Sequence, residues 1–198
     1  SALQALVEAT KAQRQHLIID EIVLTAVVKE GSFRSAAFFT DDHVHLIFGL
    51  SKIGMAGLRV GAIYSRLPHA LMTDLARIAQ IGSIEQLLSA NLLSDKAFAT
   101  KLLETSRRRL RAAYAVTAGR LEAERIQYKL GSAGLTVLLN LGAESSAQKL
   151  ITDSKVFLRN LTEFGSRQQG WFRMAVADDS QVTFPLSLMT ISDSLTYR

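Results

Sequence analysis

The chain has 198 residues, of which 48% are hydrophobic and 21% charged, and its formal net charge is +5 at pH 7. It contains no cysteine, which excludes disulfides and thiolate metal sites. Its longest apolar runs, such as Ile22–Val28, are far too short to cross a bilayer. The densest basic run, Arg107–Arg109, lies in a helical stretch, which favours a solvated helix face over a nucleic-acid surface. Its first residues carry no basic segment followed by an apolar one, so we expect a cytoplasmic protein.

Residues 1–94 alternate between helical and strand-like patterns. A helix is predicted over Leu3–Gln15. Short apolar strands are predicted over His16–Asp20, Val44–Phe48 and Val60–Tyr64. Two further helices are predicted, one from Pro68 to Ile81 and one from an N-cap at Ser83 to Leu93. This pattern predicts an α/β fold with a mostly parallel sheet flanked by helices.

The second half opens with a long helical pattern. Ser94 is predicted to cap a helix over Asp95–Ile126, and strands are predicted over Leu135–Leu139 and Gly170–Ala177. Helices are predicted over Ala147–Leu158 and Gln181–Leu195. We therefore place the domain boundary at the start of the long helix, which gives domains of residues 1–94 and 95–198, the second an α+β domain that begins with the long connecting helix.

Asp20 and Lys52 each follow a predicted strand. Ligands of parallel sheets bind at the carboxyl ends of strands, so a carboxylate at Asp20 is well placed to pair with a buried cation. A lysine in a Ser/Gly-rich turn beside an apolar core suits an aldimine-forming amine. Taken singly, Asp20 would rather be read as a helix N-cap or a surface residue, and Lys52 as an exposed loop lysine.

Two arginines complete the candidate set. Arg59, among glycines at a strand start, can fork onto a phosphate. Arg173 stands in the run Trp171–Val176, where burying it without an anion is costly, and alternation predicts that Trp171 and Arg173 share one face while Phe172 lies on the other. A substrate carboxylate suits Arg173, whereas a structural ion pair with an internal acid remains the alternative for both arginines.

In order, these residues resemble a known layout. The segments Asp20-Glu21-Ile22-Val23, Gly49-Leu50-Ser51-Lys52, Gly57-Leu58-Arg59-Val60-Gly61 and Gly170-Trp171-Phe172-Arg173 are similar to the C-terminal half of the fold-type I pyridoxal-phosphate (PLP) aminotransferases. The Gly-Trp-Phe-Arg segment favours the 1-aminocyclopropane-1-carboxylate (ACC) synthase branch. The resemblance runs from about Leu3 to the end of the chain.

The resemblance implies a role for each position. Lys52 would form the aldimine with PLP and then remove the α-proton of an amino acid, and Asp20 would pair with the pyridine nitrogen. Ser51 and Arg59 would hold the phosphate, and Arg173 the α-carboxylate. The same chemistry begins both cyclisation of S-adenosylmethionine and amino transfer, so these residues do not separate lyase from aminotransferase. The resemblance also implies a homodimer, and no metal site is expected.

Two positions depart from the family pattern. Val23 stands where a tyrosine usually supports the cofactor, and Gly49 replaces a serine that commonly contacts the phosphate. A valine side chain forms no hydrogen bond. Further family residues would come from an N-terminal half outside this sequence, in the same or another chain. We therefore also consider a degenerate homologue that keeps the fold without catalysis and, less favoured, an unrelated α/β binding module.

Overall fold

The computed structural model describes residues 2–26, 29, 31, 34–67, 81–143, 152 and 157–176. The chain forms two compact units, Ser1–Arg107 and Arg108–Arg198. They divide within a long helix, α3 (Lys96–Ala123). The functional domain boundary placed at Asp95 stays a prediction. No helix in the described ranges is long and apolar enough to cross a membrane.

The first unit contains a three-stranded sheet in the order β1-β2-β3. Helix α1 (Ala2–Ala12) precedes β1 (Leu17–Asp20), which lies parallel to β2 (Val44–Gly49). Strand β3 (Gly61–Tyr64) runs antiparallel to β2. The α/β prediction is confirmed, but this sheet is mixed, because β3 returns directly from β2 through short turns rather than through a crossover helix.

One face of this sheet is covered by α1 and by a 3₁₀ turn at Ala36–Phe38. The buried centre of that layer consists of apolar side chains from these elements and from both parallel strands, with further partly buried ones packed around it: Val7, Ala36, Val44, Leu46, Leu3, Leu17, Ile19 and Phe39. Alternate strand residues point into this layer, which fixes the register of β1 and β2.

The observed N-caps of helices α2 (Ser83–Ser94) and α3 each lie one residue away from the predicted N-caps. Gly82, not Ser83, is the N-cap of α2, and it provides no side-chain cap. The side chain of Ser94 instead donates to the Ala90 carbonyl at 2.7 Å in the last turn of α2. Asp95 Oδ1 accepts the Phe98 N–H at 2.9 Å, so the carboxylate rather than the serine satisfies a free amide of α3.

The second unit contains an antiparallel sheet in the order β4-β5-β7-β6. Its strands are β4 (Gln127–Leu130), β5 (Thr136–Asn140), β6 (Arg159–Asn160) and β7 (Trp171–Ala175). Residues of β5 and β7 that share one face are almost fully buried: Val137, Leu139, Phe172 and Met174. Strands β4 and β6 were not predicted, because β6 has only two residues and neither strand contains an apolar run.

Three predicted helices fall wholly or largely outside the described residues. They are Pro68–Ile81, Ala147–Leu158 and Gln181–Leu195. Leu158 itself is described and buried, directly before β6.

Candidate active site

Strand direction brings three predicted site residues to one edge of the first sheet. Asp20 is the last residue of β1 and pairs in register with Ile47 of β2. Lys52 follows the end of β2 by three residues, in the 3₁₀ turn Ser51–Ile53. Since β3 is antiparallel, its first residue, Gly61, pairs with Gly49, and Arg59 precedes it by two residues. Asp20, Lys52 and Arg59 therefore share the edge formed by the carboxyl ends of β1 and β2.

The Asp20 carboxylate is exposed at this edge. Its Oδ1 accepts the Ile22 N–H at 2.9 Å, which fixes one oxygen in a local turn. The next residue anchors the backbone: the Glu21 N–H donates to the Ile47 carbonyl at 2.7 Å. The Glu21 carboxylate accepts the Ser35 hydroxyl at 2.7 Å and the Ala36 N–H at 2.6 Å. Glu21 was given no role in the sequence analysis. Its position directly after Asp20 is the feature of the sequence that could have indicated one.

Lys52 is half-buried in a turn whose neighbours face an apolar interior. Leu50 and Ile53 are buried on either side of it. They line an apolar cavity of about 260 Å³ with side chains from α2 and α3. Gly54, at φ 95°, ends the turn in the left-handed region, with open space where a side chain would start. The turn thus places Lys52 between two residues that face an apolar cavity.

Arg59 lies at the end of the next 3₁₀ turn, Ala56–Leu58, and its side chain is exposed. Its backbone φ of 53° is unusual for a residue with a side chain. The guanidinium donates to the Ala56 carbonyl at 3.3 Å, which leaves other N–H groups for an anion. Ser51, at the start of the neighbouring turn, is half-buried.

The structure describes the surroundings of Val23 and Gly49, the two departures from the family pattern. Val23 is 46% exposed and offers no polar side-chain atom. At Gly49, a Cβ would lie 3.3 Å from the Val60 carbonyl oxygen, so the close approach of β3 leaves a side chain little room there.

Arg107 differs from its predicted place on a solvated face. It is half-buried, and its guanidinium donates to the carbonyls of Thr25 at 3.2 Å and Leu24 at 3.3 Å. Arg107 and Glu21 both line a cavity of about 330 Å³ on the face of the sheet that carries Leu46. The interpretation was wrong for Arg107, because the charge pattern of a helix does not reveal hydrogen bonds to backbone carbonyls that are distant in sequence. Arg108 and Arg109 are exposed.

Arg173 lies in β7 of the second unit. Phe172 is fully buried, as its predicted place on the opposite face requires, and Arg173 is half-buried. Trp171 is also buried, beneath the ammonium of Lys129 at 4.8 Å from the ring centroid. Within the described part of the chain, the nearby carboxylate of Glu163 is bound by Arg159 at 2.7 Å, and no carboxylate pairs with Arg173.

Similarity to solved structures defines the class. An aspartate aminotransferase double mutant from Thermus thermophilus matches 97% of this chain with a TM-score of 0.79 at 18% identity. A PLP-bound C-S lyase from Staphylococcus hominis matches 98% with a TM-score of 0.77, also at 18% identity. The chain covers 51% and 53% of these two structures. At these identities the likeness establishes the fold: this chain has the fold-type I architecture over about half of such an enzyme.

Similarity in sequence then gives the family. The chain matches the family model "Aminotransferase class I and II" over residues 1–184, and it belongs to that family. It is 30% identical to 1-aminocyclopropane-1-carboxylate synthase 6 of Oryza sativa subsp. japonica over 97% of its own length, and 28% identical to 1-aminocyclopropane-1-carboxylate synthase 7 of Arabidopsis thaliana over 99%. It spans 40% and 48% of these relatives, less than half of each.

Proposed function

We propose that the chain is the C-terminal half of a PLP-dependent enzyme that acts on an α-amino acid, with Lys52 as the catalytic lysine. The observation that carries the proposal is the shared sheet edge of Asp20, Lys52 and Arg59. The amine of Lys52, the carboxylate of Asp20 and the guanidinium of Arg59 at this edge match the amine-reactive carbonyl, the ring nitrogen and the phosphate of PLP.

The chemistry of the donor set fits PLP. Lys52 Nζ would hold the carbonyl carbon, and the Asp20 carboxylate would hold a proton on the ring nitrogen. The Ser51 hydroxyl and the guanidinium of Arg59 would donate to the phosphate. The open space at Gly54 and Gly57, where no atom lies within 4 Å of a built Cβ, leaves room beside the lysine turn. Val23 supplies no hydrogen bond, so the phenolic oxygen would depend on residues outside this chain.

When bound, PLP supplies an electron sink for breaking bonds at the α-carbon of an amino acid. Lys52 Nζ would take the α-proton of the amino acid as a general base. The Asp20 carboxylate keeps the ring nitrogen protonated, which maintains the sink. Arg173 orients the substrate through its carboxylate with two parallel N–H donors. Burial of Leu50 and Ile53 anchors the backbone of the turn that carries Lys52.

The similarity to two ACC synthases favours cyclisation of S-adenosylmethionine as the reaction. Amino transfer to an oxo acid is the second candidate, favoured by the match to the aminotransferase family model. Since the chain spans less than half of its curated relatives, we propose that turnover requires the remaining half of the fold, on the same polypeptide or another. A homodimer is proposed on the basis of the family.

An absorption spectrum with added PLP tests the proposal. A protonated imine on a nucleophilic lysine absorbs near ~420 nm. We expect this band in the wild-type protein and its loss in Lys52→Ala, with Lys101→Ala, an exposed helix lysine, as the matched control. Release of methylthioadenosine from S-adenosylmethionine would then support the lyase, and formation of an oxo acid the aminotransferase. A folded protein without the band would favour the degenerate homologue, as Val23 and Gly49 suggest.

A further inference from the structure

Three cations lie in one row across the second sheet. Lys129 of β4 and Arg173 of β7 both pair in register with Leu138 of β5, and Arg159 of β6 pairs directly with Arg173. Residues paired in this way point to the same face. Like charges directly opposite each other on neighbouring strands are destabilising, so each cation of the row needs a compensating contact.

The carboxylate of Glu163 is committed to Arg159. Its Oε2 accepts Arg159 Nε at 2.7 Å and its Oε1 accepts the Asn160 N–H at 3.0 Å, closing a capping box. The Arg159 guanidinium, followed by the Asn160 amide and with a contribution from Arg173, holds the pKa of Glu163 below its usual range. This acid therefore stays ionised and balances one arginine, while the other is left for a different partner.

That partner is a ring. The guanidinium carbon of Arg173 lies 4.4 Å from the centroid of Phe164, and that of Arg159 lies 4.9 Å from the same centroid. A guanidinium over an aromatic ring gains cation–π attraction through its face, and its in-plane N–H donors remain available for a carboxylate. Phe164 is 49% exposed, so burial alone does not explain its position beneath two charged groups.

We propose that Phe164 is a positioning residue that orients Arg173 toward a substrate carboxylate, with the Arg159–Glu163 pair fixing the ring in place. The inference rests on the proposed function, because it takes Arg173 as the carboxylate-binding group. It adds that the recognition unit is an arginine stacked on a phenyl ring beside a neutralised second arginine. Removal of the ring would weaken carboxylate binding without removing the charge that binds it.

The test measures binding of L-methionine to the 198-residue protein by calorimetry and by the fluorescence of Trp171, the single tryptophan of the chain. The matched probe is 3-(methylthio)propylamine, which has the same skeleton without the carboxylate. We expect Phe164→Leu to weaken methionine binding about 2- to 10-fold, as expected for loss of a partly exposed cation–π contact, and to leave amine binding unchanged. Phe164→Tyr, which keeps the ring, should bind as the wild type does.

Two controls separate the possible failures. Phe157→Leu changes a phenylalanine that is 70% exposed in the same unit and should have no effect. Arg173→Ala should abolish the preference for methionine over the amine. If Arg173→Ala loses that preference while Phe164→Leu keeps wild-type affinity, the role of Phe164 is overturned and the proposed function stands. If the wild type shows no preference, or Arg173→Ala keeps it, the role of Arg173 is overturned together with that of Phe164.

Discussion

Replacing Gly170 by alanine should be among the most damaging single substitutions in the second unit. Gly170 precedes β7 with φ +77°, a left-handed conformation that costs a residue with a side chain about 1–2 kcal/mol. A Cβ built there lies 2.5 Å from the carbonyl carbon of Gly142 and 2.7 Å from the amide nitrogen of Ala143. Both are backbone atoms, so no side chain can rotate away to relieve the clash.

The expected loss of unfolding free energy combines two costs. Overpacking typically costs about 1–3 kcal/mol, which gives a total of about 2–5 kcal/mol for Gly170→Ala. Gly165→Ala is the matched control, because Gly165 has φ +80° and no atom within 4 Å of a built Cβ. That variant should lose about 1–2 kcal/mol, the conformational cost alone.

Urea denaturation followed by circular dichroism measures both variants at constant slope. The difference between them isolates the clash with the Gly142–Ala143 backbone. If Gly170→Ala loses no more stability than Gly165→Ala, the two segments do not approach each other closely, and a steric clash does not explain the glycine at position 170.

Three further outcomes are expected in the same assay. Tyr114→Phe removes a hydroxyl that donates to the Gly134 carbonyl at 3.1 Å, with the Thr136 carbonyl at 3.4 Å, and should cost about 1 kcal/mol; unchanged stability would show that these bonds contribute nothing. Asp95→Ala removes the cap of α3 and should also cost about 1 kcal/mol, whereas Asp95→Asn should retain most of it. Burial, with the charges of His16 and His43, lowers the pKa of His45, whose ring is hydrogen-bonded to His16 and Ser65 at 2.8 Å each. The unfolded chain therefore takes up a proton that the folded chain resists, so unfolding free energy should fall as pH drops below about 6.5, and His45→Gln should flatten that dependence.

The pattern of apolar residues predicted the strands that carry a continuous apolar run. Strands β1, β2, β5 and β7 were predicted to within one or two residues, because each carries a short apolar run with buried or partly buried members. Strand β6 is two residues long, and β4 alternates polar with partly buried residues, so neither produces an apolar run. These strands exist because β5 and β7 offer them hydrogen-bonding edges, which is a tertiary effect.

The sequence indicated which residues are candidates for the site, but not the contacts that surround them. Asp20 and Lys52 were proposed from their positions after apolar strands, and their roles stay predictions. The contacts that hold them were not predicted, since the Glu21 carboxylate bonds to residues fourteen and fifteen positions away. Arg107 was misjudged for the same reason, because its carbonyl partners lie more than eighty residues earlier. Phe164 gave no sequence signal, since its relation to Arg173 depends on the pairing of β6 with β7.

The direction of β3 decides whether the candidate site can form at all. Arg59 precedes β3, whereas Asp20 and Lys52 follow β1 and β2. In a fully parallel sheet the start of β3 would lie at the opposite edge, and a strand of four residues would place Arg59 about 13 Å away from the lysine turn. The antiparallel return of β3 brings Arg59 to the edge that carries Lys52. Strands β2 and β3 approach each other closely at that edge, where Gly49 pairs with Gly61. A Cβ at position 49 would lie 3.3 Å from the Val60 carbonyl oxygen. A mostly parallel sheet is compatible with this grouping, because β3 is its antiparallel strand.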